Sequence, residues 1–598
     1  MRREWNRNVR VARVALSRQW QNFVAWFHRL ELSENAILMG FAVAVGGASA
    51  LGVVAFYRLI DLAYGVFFRW PAQHLSRDVF LAYRPVITAA GMLAAWWVMR
   101  RLGKGHQGMN VPDVQLAVAR RNGHLPARPA LARTAASAIT MGAGGSAGSE
   151  GPVAVLGSTL GSFLGRSFRF DAQRVNVLVA AGAAGGISAA FNAPLAGAFF
   201  ALEEVLGNFA VRAFPAVVVS SVVAAVVSRG VFGNHPAFPI PTEYGYSHAA
   251  EMLIFYPLLG VLAGLASALF VRMYFGTEDA VRRLRVPAWL LPVIGGAAVG
   301  VLVYMSQGAL VGYGHLAFRL EVFGGMPFHV LALLALGKML ATSITLNMGG
   351  SGGVFTPSLY IGAATGGAFG VALAALFPGM ALTPEAYALV GMGAVVAAAT
   401  DAPLTGILIV FEMTNDYAIV LPLMLATVIA TIVAKRIERD SLYSGWLRRR
   451  GEVLEHGASR DVLAGLSVAD VFDRNPQIIE HSATVAELLA VLGRGEQTEF
   501  PVVDGAEHFV GIITVADLGQ IALERGDLTD VLIAADIAVP AETLAPRDSL
   551  LAAVRRMGVR GAGSLPVVDP TTGRLLGILA RSHVLGVYEG TVAAQQPT

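Results

Sequence analysis

The segment Gly148-Ser149-Glu150-Gly151-Pro152 sets one carboxylate at the mouth of an apolar helix whose first turn holds Pro152. A glutamate removed from water is costly there, so its presence points to chemistry. At an offset of 205 residues, Gly353-Val354-Phe355-Thr356-Pro357 repeats the arrangement, with Phe355 at the position of Glu150. Each helix start offers free backbone N–H groups and the positive end of a helix dipole, and the two are expected to face one site at mid-membrane. Such a site attracts a small anion without a fixed cation, whose grip would slow release. The Glu150 carboxylate is itself an anion and competes for that place. Protonation neutralises it and frees the position, which links protons to anions directly. The plainer alternative is a glutamate that caps its own helix.

Other reactive residue types narrow the choice. Glu203 and Glu204 are adjacent in an apolar helix after Asn192-Ala193-Pro194, so they point to different faces, and at least one must meet protein or water. A proton relay and a structural ion pair are both open readings of the pair. Gly144-Gly145-Ser146-Ala147-Gly148 satisfies the nucleophile pattern of serine hydrolases, but no strand precedes it and no histidine sits on a nearby apolar helix. Ser146 is therefore expected to be structural, and the chain not an enzyme. The converging carboxylates that a divalent-metal carrier would need are lacking. With no cysteine anywhere, thiolate metal sites and disulfides are excluded.

These residues must be positioned by a membrane domain. Only 14% of the 598 residues are charged and the mean hydropathy is +0.58, against roughly a quarter charged in soluble proteins. Apolar character fills residues 36 to 434 and yields to a mixed sequence from Lys435 onward. Candidate apolar segments run over 36–57, 86–99, 177–187, 214–227, 253–271, 290–303, 330–344 and 417–434, several of them short or glycine-rich for a simple span. Glycines crowd Gly142 to Gly151, Gly182 to Gly186 and Gly349 to Gly353, where broken helices with exposed backbone are expected. Residues 1–35 carry Arg2, Arg3, Arg7, Arg10, Arg13 and Arg18 among aromatics, which reads as a basic interfacial helix on the cytoplasmic side. The formal net charge of +4 is small, and nucleic acid is not an expected partner.

A duplication organises the membrane region. Pro152, Gly157, Gly161 and Gly165 recur as Pro357, Gly362, Gly366 and Gly370 at the same offset of 205. Ala193-Pro194-Leu195-Ala196-Gly197 with Glu203 recurs as Ala402-Pro403-Leu404-Thr405-Gly406 with Glu412 at an offset of 209. Two homologous halves, about 36–230 and 250–440, follow from this spacing. From about residue 467 the pattern turns to short strands and helices. Phe500-Pro501-Val502-Val503-Asp504, then Gly511-Ile512-Ile513-Thr514 and Asp517, parallels Leu565-Pro566-Val567-Val568-Asp569, then Gly577-Ile578-Leu579-Ala580 and His583.

Together these motifs resemble the CLC family of chloride channels and chloride/proton antiporters over most of residues 36–450, followed by a tandem CBS pair. Gly148 to Pro152 matches the family's gating-glutamate motif, Gly353 to Pro357 its second anion-binding motif, and Tyr443 within Ser441-Leu442-Tyr443-Ser444 its inner-gate tyrosine. The resemblance implies an all-α polytopic membrane domain with an inverted repeat and broken helices over 36–450, a linker over 451–466, α/β CBS modules over 467–525 and 530–590, and a tail over 591–598. It implies Glu150 as the external gate and an anion-binding set of Met109, Asn110, Val354, Phe355 and Tyr443. It also implies Glu204 as the cytoplasm-side proton acceptor, and a homodimer with one pathway per subunit. Proton-coupled members generally keep the second glutamate, so chloride/proton exchange is expected ahead of a passive channel. The family's first motif usually reads Gly-Ser-Gly-Ile-Pro, whereas here it is Gly108-Met109-Asn110-Val111-Pro112. The Met109 thioether cannot donate the serine's hydrogen bond, so chloride stands first with nitrate, bromide or fluoride open. In the tail, Thr514 and Asp517 are implied contacts for an adenine nucleotide. Ala580 and His583 replace them in the second module, so one such site at most is implied, with no other cofactor. The implied location is the inner cell membrane, both chain ends cytoplasmic and the bilayer as partner.

Overall fold

A computed structural model describes residues 34–103, 109–208, 213–233, 251–311, 325–380, 382–452, 466–491, 497–524, 528–560 and 562–594. The basic helix expected before residue 34 lies outside them. The chain forms two compact units, residues 1–456 and 457–598.

The first unit is helical. Its principal helices are α1 (Glu34–Tyr64), α2 (Arg77–Leu102), α3 (Val111–Arg120), α4 (Ala127–Gly142), α5 (Glu150–Ser167), α6 (Ala172–Phe191), α7 (Pro194–Phe200), α8 (Phe214–Phe232), α9 (Tyr256–Arg283), α10 (Leu290–Met305), α11 (Phe328–Asn347), α12 (Phe355–Leu376), α13 (Pro384–Thr400), α14 (Pro403–Thr414), α15 (Val420–Ile437) and α16 (Leu442–Arg449). Among the described residues, seven helical segments are long and apolar enough to cross a bilayer, and α10, α13 and α14 are shorter apolar helices. Short helices inside hydrocarbon are admissible only where protein covers their ends, and α13 is buried along almost its whole length.

Two of the three glycine clusters break helices and one does not. α4 ends at Gly142 and α5 begins at Glu150, with Gly144 at φ +93°; α11 ends at Asn347 and α12 begins at Phe355, with Gly349 at φ +102°. Gly144 and Gly349 occupy equivalent places in the two halves, and both backbones are open only to a residue without a Cβ. Gly182 to Gly186, expected to interrupt a helix, lies inside the continuous α6. The physical reason is close approach. A Cβ at Gly182 would overlap the carbonyl of Gly157 on α5, and one at Gly157 would overlap the carbonyl of Gly182. The second half repeats this between Gly362 on α12 and Gly391 on α13. Small residues at a helix crossing let backbones touch, which supplies the packing that hydrophobicity cannot supply in lipid.

A second device joins the halves through charge. The chain at Ala201–Leu206 widens into a π-helical turn bearing Glu203 and Glu204. Glu203 reaches the start of α14, accepting from the Leu404 N–H at 3.1 Å, the Thr405 N–H at 2.8 Å and the Thr405 hydroxyl at 2.7 Å. Glu412 on α14 returns the contact, accepting from the Leu195 and Ala196 N–H groups at the start of α7 at 2.8 and 2.7 Å. Each half therefore caps a helix of the other, satisfying orphan donors and meeting the positive helix end with a carboxylate. In this geometry both Glu203 oxygens accept from groups at the start of α14.

The second unit holds two similar α/β modules. In the first, β1 (Ile479–Glu480), β2 (Glu499–Val503) and β3 (Phe509–Thr514) form a sheet in that order; in the second, β4 (Ser564–Val568) pairs with β5 (Leu575–Ala580). Val502 opposite Gly511 and Val567 opposite Gly577 hold the same register, each followed by a bulge. The cores interleave. Val468 packs with Leu544, Leu550 and Leu579 of the second module, while Ala534 packs with Val485, Phe500 and Ile513 of the first. The contiguous blocks 467–525 and 530–590 thus delimit the sequence repeat, and the two cores exchange their flanking segments.

Two outcomes follow from the helix contacts. Glu412→Ala leaves two helix-start N–H groups without their carboxylate and is expected to cost about 1–3 kcal/mol, read as a lower thermal midpoint of the detergent-solubilised protein; Glu412→Gln should recover part of it. Gly391→Val forces α12 and α13 apart, and its overpacking cost of roughly 1–3 kcal/mol or more should appear as loss of a monodisperse peak in size-exclusion chromatography. An unchanged midpoint in the first case, or an unchanged peak in the second, would show that these contacts do not hold the halves together.

Candidate functional site

Two interrupted-helix loops make the site. The N–H of Gly148 donates to the carbonyl of Gly353 at 2.9 Å, and the N–H of Gly353 donates back to Gly148 at 2.8 Å. This isolated antiparallel bridge brings the start of α5 against the start of α12.

Glu150 lies at that junction, fully buried. Its Oε1 accepts from the backbone N–H of Phe355 at 2.6 Å and its Oε2 from the Thr356 hydroxyl at 3.0 Å. The carboxylate thus seats on the helix start of the other half, and the bond to Phe355 has the short length of a charge-assisted contact. A Cβ at Gly148 or at Gly353 would overlap the carboxylate, so both glycines are required by its seat as well as by the bridge. The Phe355 ring stands 6.2 Å from that of Phe191 and 6.4 Å from that of Phe200, an apolar wall beside the charged group.

A cavity of about 300 Å³ opens beside this seat, lined by Asn110, Arg133, Gly151, Gly353, Val354 and Tyr443 among others. Tyr443 stands in the first turn of α16, where Ser441 caps the helix by accepting from the Ser444 N–H at 3.1 Å. Met109 is buried at the approach to α3 with only its thioether to offer. Asn110 is the N-cap residue of α3, its N–H donating to Asp113 Oδ2 at 2.8 Å. The structure therefore gathers Asn110, Val354, Tyr443 and the Glu150–Phe355 pair around one place.

Two residues that the sequence reading passed over complete the arrangement. Arg133 on α4 is buried, donates to the Asn110 side-chain oxygen, and donates to the Gly352 carbonyl at 2.8 Å. A guanidinium therefore lines the cavity, where the sequence led to an expectation of backbone dipoles without a fixed cation. The signal available was an arginine inside an otherwise small-residue helix, seventeen positions before Glu150. Gln115 on α3 donates to the backbone carbonyl of Glu204 at 2.8 Å and to its Oε2 at 3.1 Å. Glu204 is buried, so of the adjacent pair one carboxylate caps α14 and the other is held by an amide. No spacing rule would have found Gln115.

Ser146 is structural, its hydroxyl paired with that of Thr342 at 2.9 Å and its N–H donating to the Thr345 hydroxyl at 3.1 Å. In the second unit, Thr514 and Asp517 face each other across the start of α17 (Val515–Glu524). The Thr514 hydroxyl and N–H donate to Asp517 Oδ2 at 2.7 and 3.0 Å, and the Asp517 N–H donates to the Thr514 hydroxyl at 3.1 Å. This closed cap orients both side chains at the edge of β3.

Comparison with known proteins agrees with this geometry. The family model described as voltage gated chloride channel matches residues 91–435, and that of the CBS domain matches residues 468–521 and 534–590. A protein of Ralstonia nicotianae named for its likeness to the chloride channel protein ClcB is 37% identical over 424 residues, 69% of this chain and 97% of the relative. The H(+)/Cl(-) exchange transporter ClcA of Vibrio parahaemolyticus is 35% identical over 317 residues, 52% of this chain and 67% of the relative. Among solved structures, a slow cyanobacterial Cl-/H+ antiporter superposes with a TM-score of 0.63 at 26% identity, covering 70% of this chain and 99% of that one. The paired helix starts with their buried carboxylate, the multi-pass helical unit and these matches together place the chain in the CLC family of anion transport proteins, with a tandem CBS pair after its membrane unit.

Proposed function

We propose that the membrane unit exchanges chloride for protons, with Glu150 as the group that alternates with the anion. The observation that carries this reading is the 2.6 Å bond from the Phe355 N–H to the Glu150 carboxylate. An N–H that donates to a carboxylate oxygen there offers the same donor to a halide once the carboxylate leaves. Protonation removes the charge that holds Glu150 on the helix start, so proton uptake and anion entry share one seat. Glu204, held by Gln115, is the proposed proton acceptor on the cytoplasmic side, and Val354 with the Tyr443 hydroxyl supplies further contacts along the cavity. The names of the relatives, which include an H(+)/Cl(-) exchange transporter, support the same choice of substrates. The proposed assembly is a homodimer with one pathway per subunit and both chain ends in the cytoplasm.

For the CBS pair we propose regulation through one adenine nucleotide at the first module. The Thr514–Asp517 cap supports this by fixing a hydroxyl and a carboxylate at one strand end, whereas Ala580 and His583 stand at the matching positions of the second module.

In liposomes with a chloride gradient and clamped voltage, the native protein should drive protons against their own gradient. Glu204→Ala should abolish proton movement while anion flux continues. Glu150→Gln should abolish proton movement and leave anion flux independent of pH, whereas native flux should rise as the medium is acidified. Anion flux in the native protein without proton movement would make it a passive channel. Titration calorimetry of the full chain with ATP should give one site per chain, weakened by about tenfold or more in Asp517→Ala; equal binding in that variant would remove Asp517 from the nucleotide reading.

A further inference from the structure

The two modules of the second unit touch at a pair of equivalent positions. Glu499 stands one residue before Phe500-Pro501-Val502-Val503 at the start of β2, and Ser564 one residue before Leu565-Pro566-Val567-Val568 at the start of β4. The repeat has diverged there into a carboxylate facing a hydroxyl. Glu499 accepts from the Gly563 N–H at 2.9 Å and from the hydroxyl of Ser564, itself a buried residue. A Cβ on Gly563 would come within 3.1 Å of the same carboxylate, so glycine gives it room. A backbone N–H and a hydroxyl that converge on one carboxylate can hold a phosphate oxygen equally well.

These donors lie beside the Thr514–Asp517 cap. Glu499 is the direct cross-strand partner of Thr514, and opposite residues of an antiparallel pair carry their side chains on one face, with the strands about 5 Å apart. Gly563 and Ser564 are therefore one strand spacing and one glutamate side chain away from Thr514. The second module holds them in place, because the Arg581 N–H donates to the Gly563 carbonyl at 2.8 Å and its guanidinium to the Ala562 carbonyl at 3.3 Å. Across the other strand pair, Ser564 has Ala580 as its partner, which brings no hydroxyl.

We propose that Glu499 is a built-in competitor for the phosphate of a nucleotide at the first module, holding the Gly563 N–H and the Ser564 hydroxyl until the ligand displaces it. This rests on the reading of that module as an adenine-nucleotide site. A ligand at the Thr514–Asp517 cap brings its phosphate toward two donors that a carboxylate of the chain already satisfies. Two anions cannot share them, so the phosphate enters only as Glu499 leaves. Affinity is lowered by the cost of that exchange, which sets a threshold concentration for the ligand. Displacement also removes the Glu499 link between the modules, so one event both admits the nucleotide and loosens the seam.

The test compares ligands with and without phosphate. ATP, adenosine and inorganic phosphate are titrated calorimetrically into the purified full chain and into Glu499→Ala, Glu499→Gln and Glu499→Ala with Ser564→Ala, each confirmed monodisperse. ATP should bind about tenfold more tightly to Glu499→Ala than to the native chain, while the affinity for adenosine stays as it was. A glutamate that merely braces the modules would change both ligands alike or weaken both. Glu499→Gln should gain less, because its neutral amide oxygen still accepts from both donors. Adding Ser564→Ala should cancel most of the gain, which a general relief of negative charge would not do. Equal ATP affinity in the native chain and Glu499→Ala would overturn the competitor and leave the nucleotide reading standing. ATP binding to neither would overturn both, and a gain for inorganic phosphate as large as that for ATP would overturn the nucleotide as the source of the phosphate.

Discussion

A carboxylate with no water around it must be held by dipoles, and the membrane unit is arranged to supply them from backbone. Glu150 is fully buried, and the described side-chain contact nearest its charge is a neutral hydroxyl, that of Thr356. Its strongest partner is the first N–H of a helix that belongs to the other half. For this to work, two helices must stop in mid-membrane, their loops must touch, and no side chain may stand between them. The bridge between Gly148 and Gly353 meets all three demands at once. Everything farther out, from the paired glycine crossings to the reciprocal carboxylate caps, keeps those two loops in register.

The same logic explains why the halves are bound to each other so specifically. In lipid the hydrophobic effect does not sort one helix face from another, so geometry and hydrogen bonds must do it. Gly157 with Gly182, and Gly362 with Gly391, set the crossing within each half. Glu203 and Glu412 set the relation between halves, each oxygen ending on a helix-start N–H. A carboxylate is well suited to this because two oxygens reach two successive N–H groups. One duplication thus yields both the site and its frame.

Much of this was legible in the residues. The offsets of 205 and 209 located both helix starts, the carboxylate at one of them, and the equivalence of Glu203 with Glu412. Period and glycine content could not tell a broken helix from a tight crossing, because glycine serves both, and so Gly182 to Gly186 read as a break. The repeat exposed the pairing of Glu203 with Glu412 as a spacing, but that the two carboxylates swap partners is a property of the dyad relation and has no local signature. Arg133 was hidden for a different reason. An arginine in a small-residue helix is read by default as a marker of sidedness, and only the neighbours at Asn110 and Gly352 give it another meaning. The CBS repeat showed in its strands, yet the exchange of flanking segments rests on packing of Val468 and Ala534, two residues of no special pattern.

The crossed caps also bear on how the chain comes into being. Leu195 and Ala196 receive their carboxylate from Glu412, more than two hundred residues later in the chain. Synthesis at about 5–20 residues per second puts roughly ten to forty seconds between the two. Throughout that interval the first half sits in the bilayer with a helix end uncapped and with Glu203 lacking α14. The reciprocal caps can therefore close only after α14 has been made.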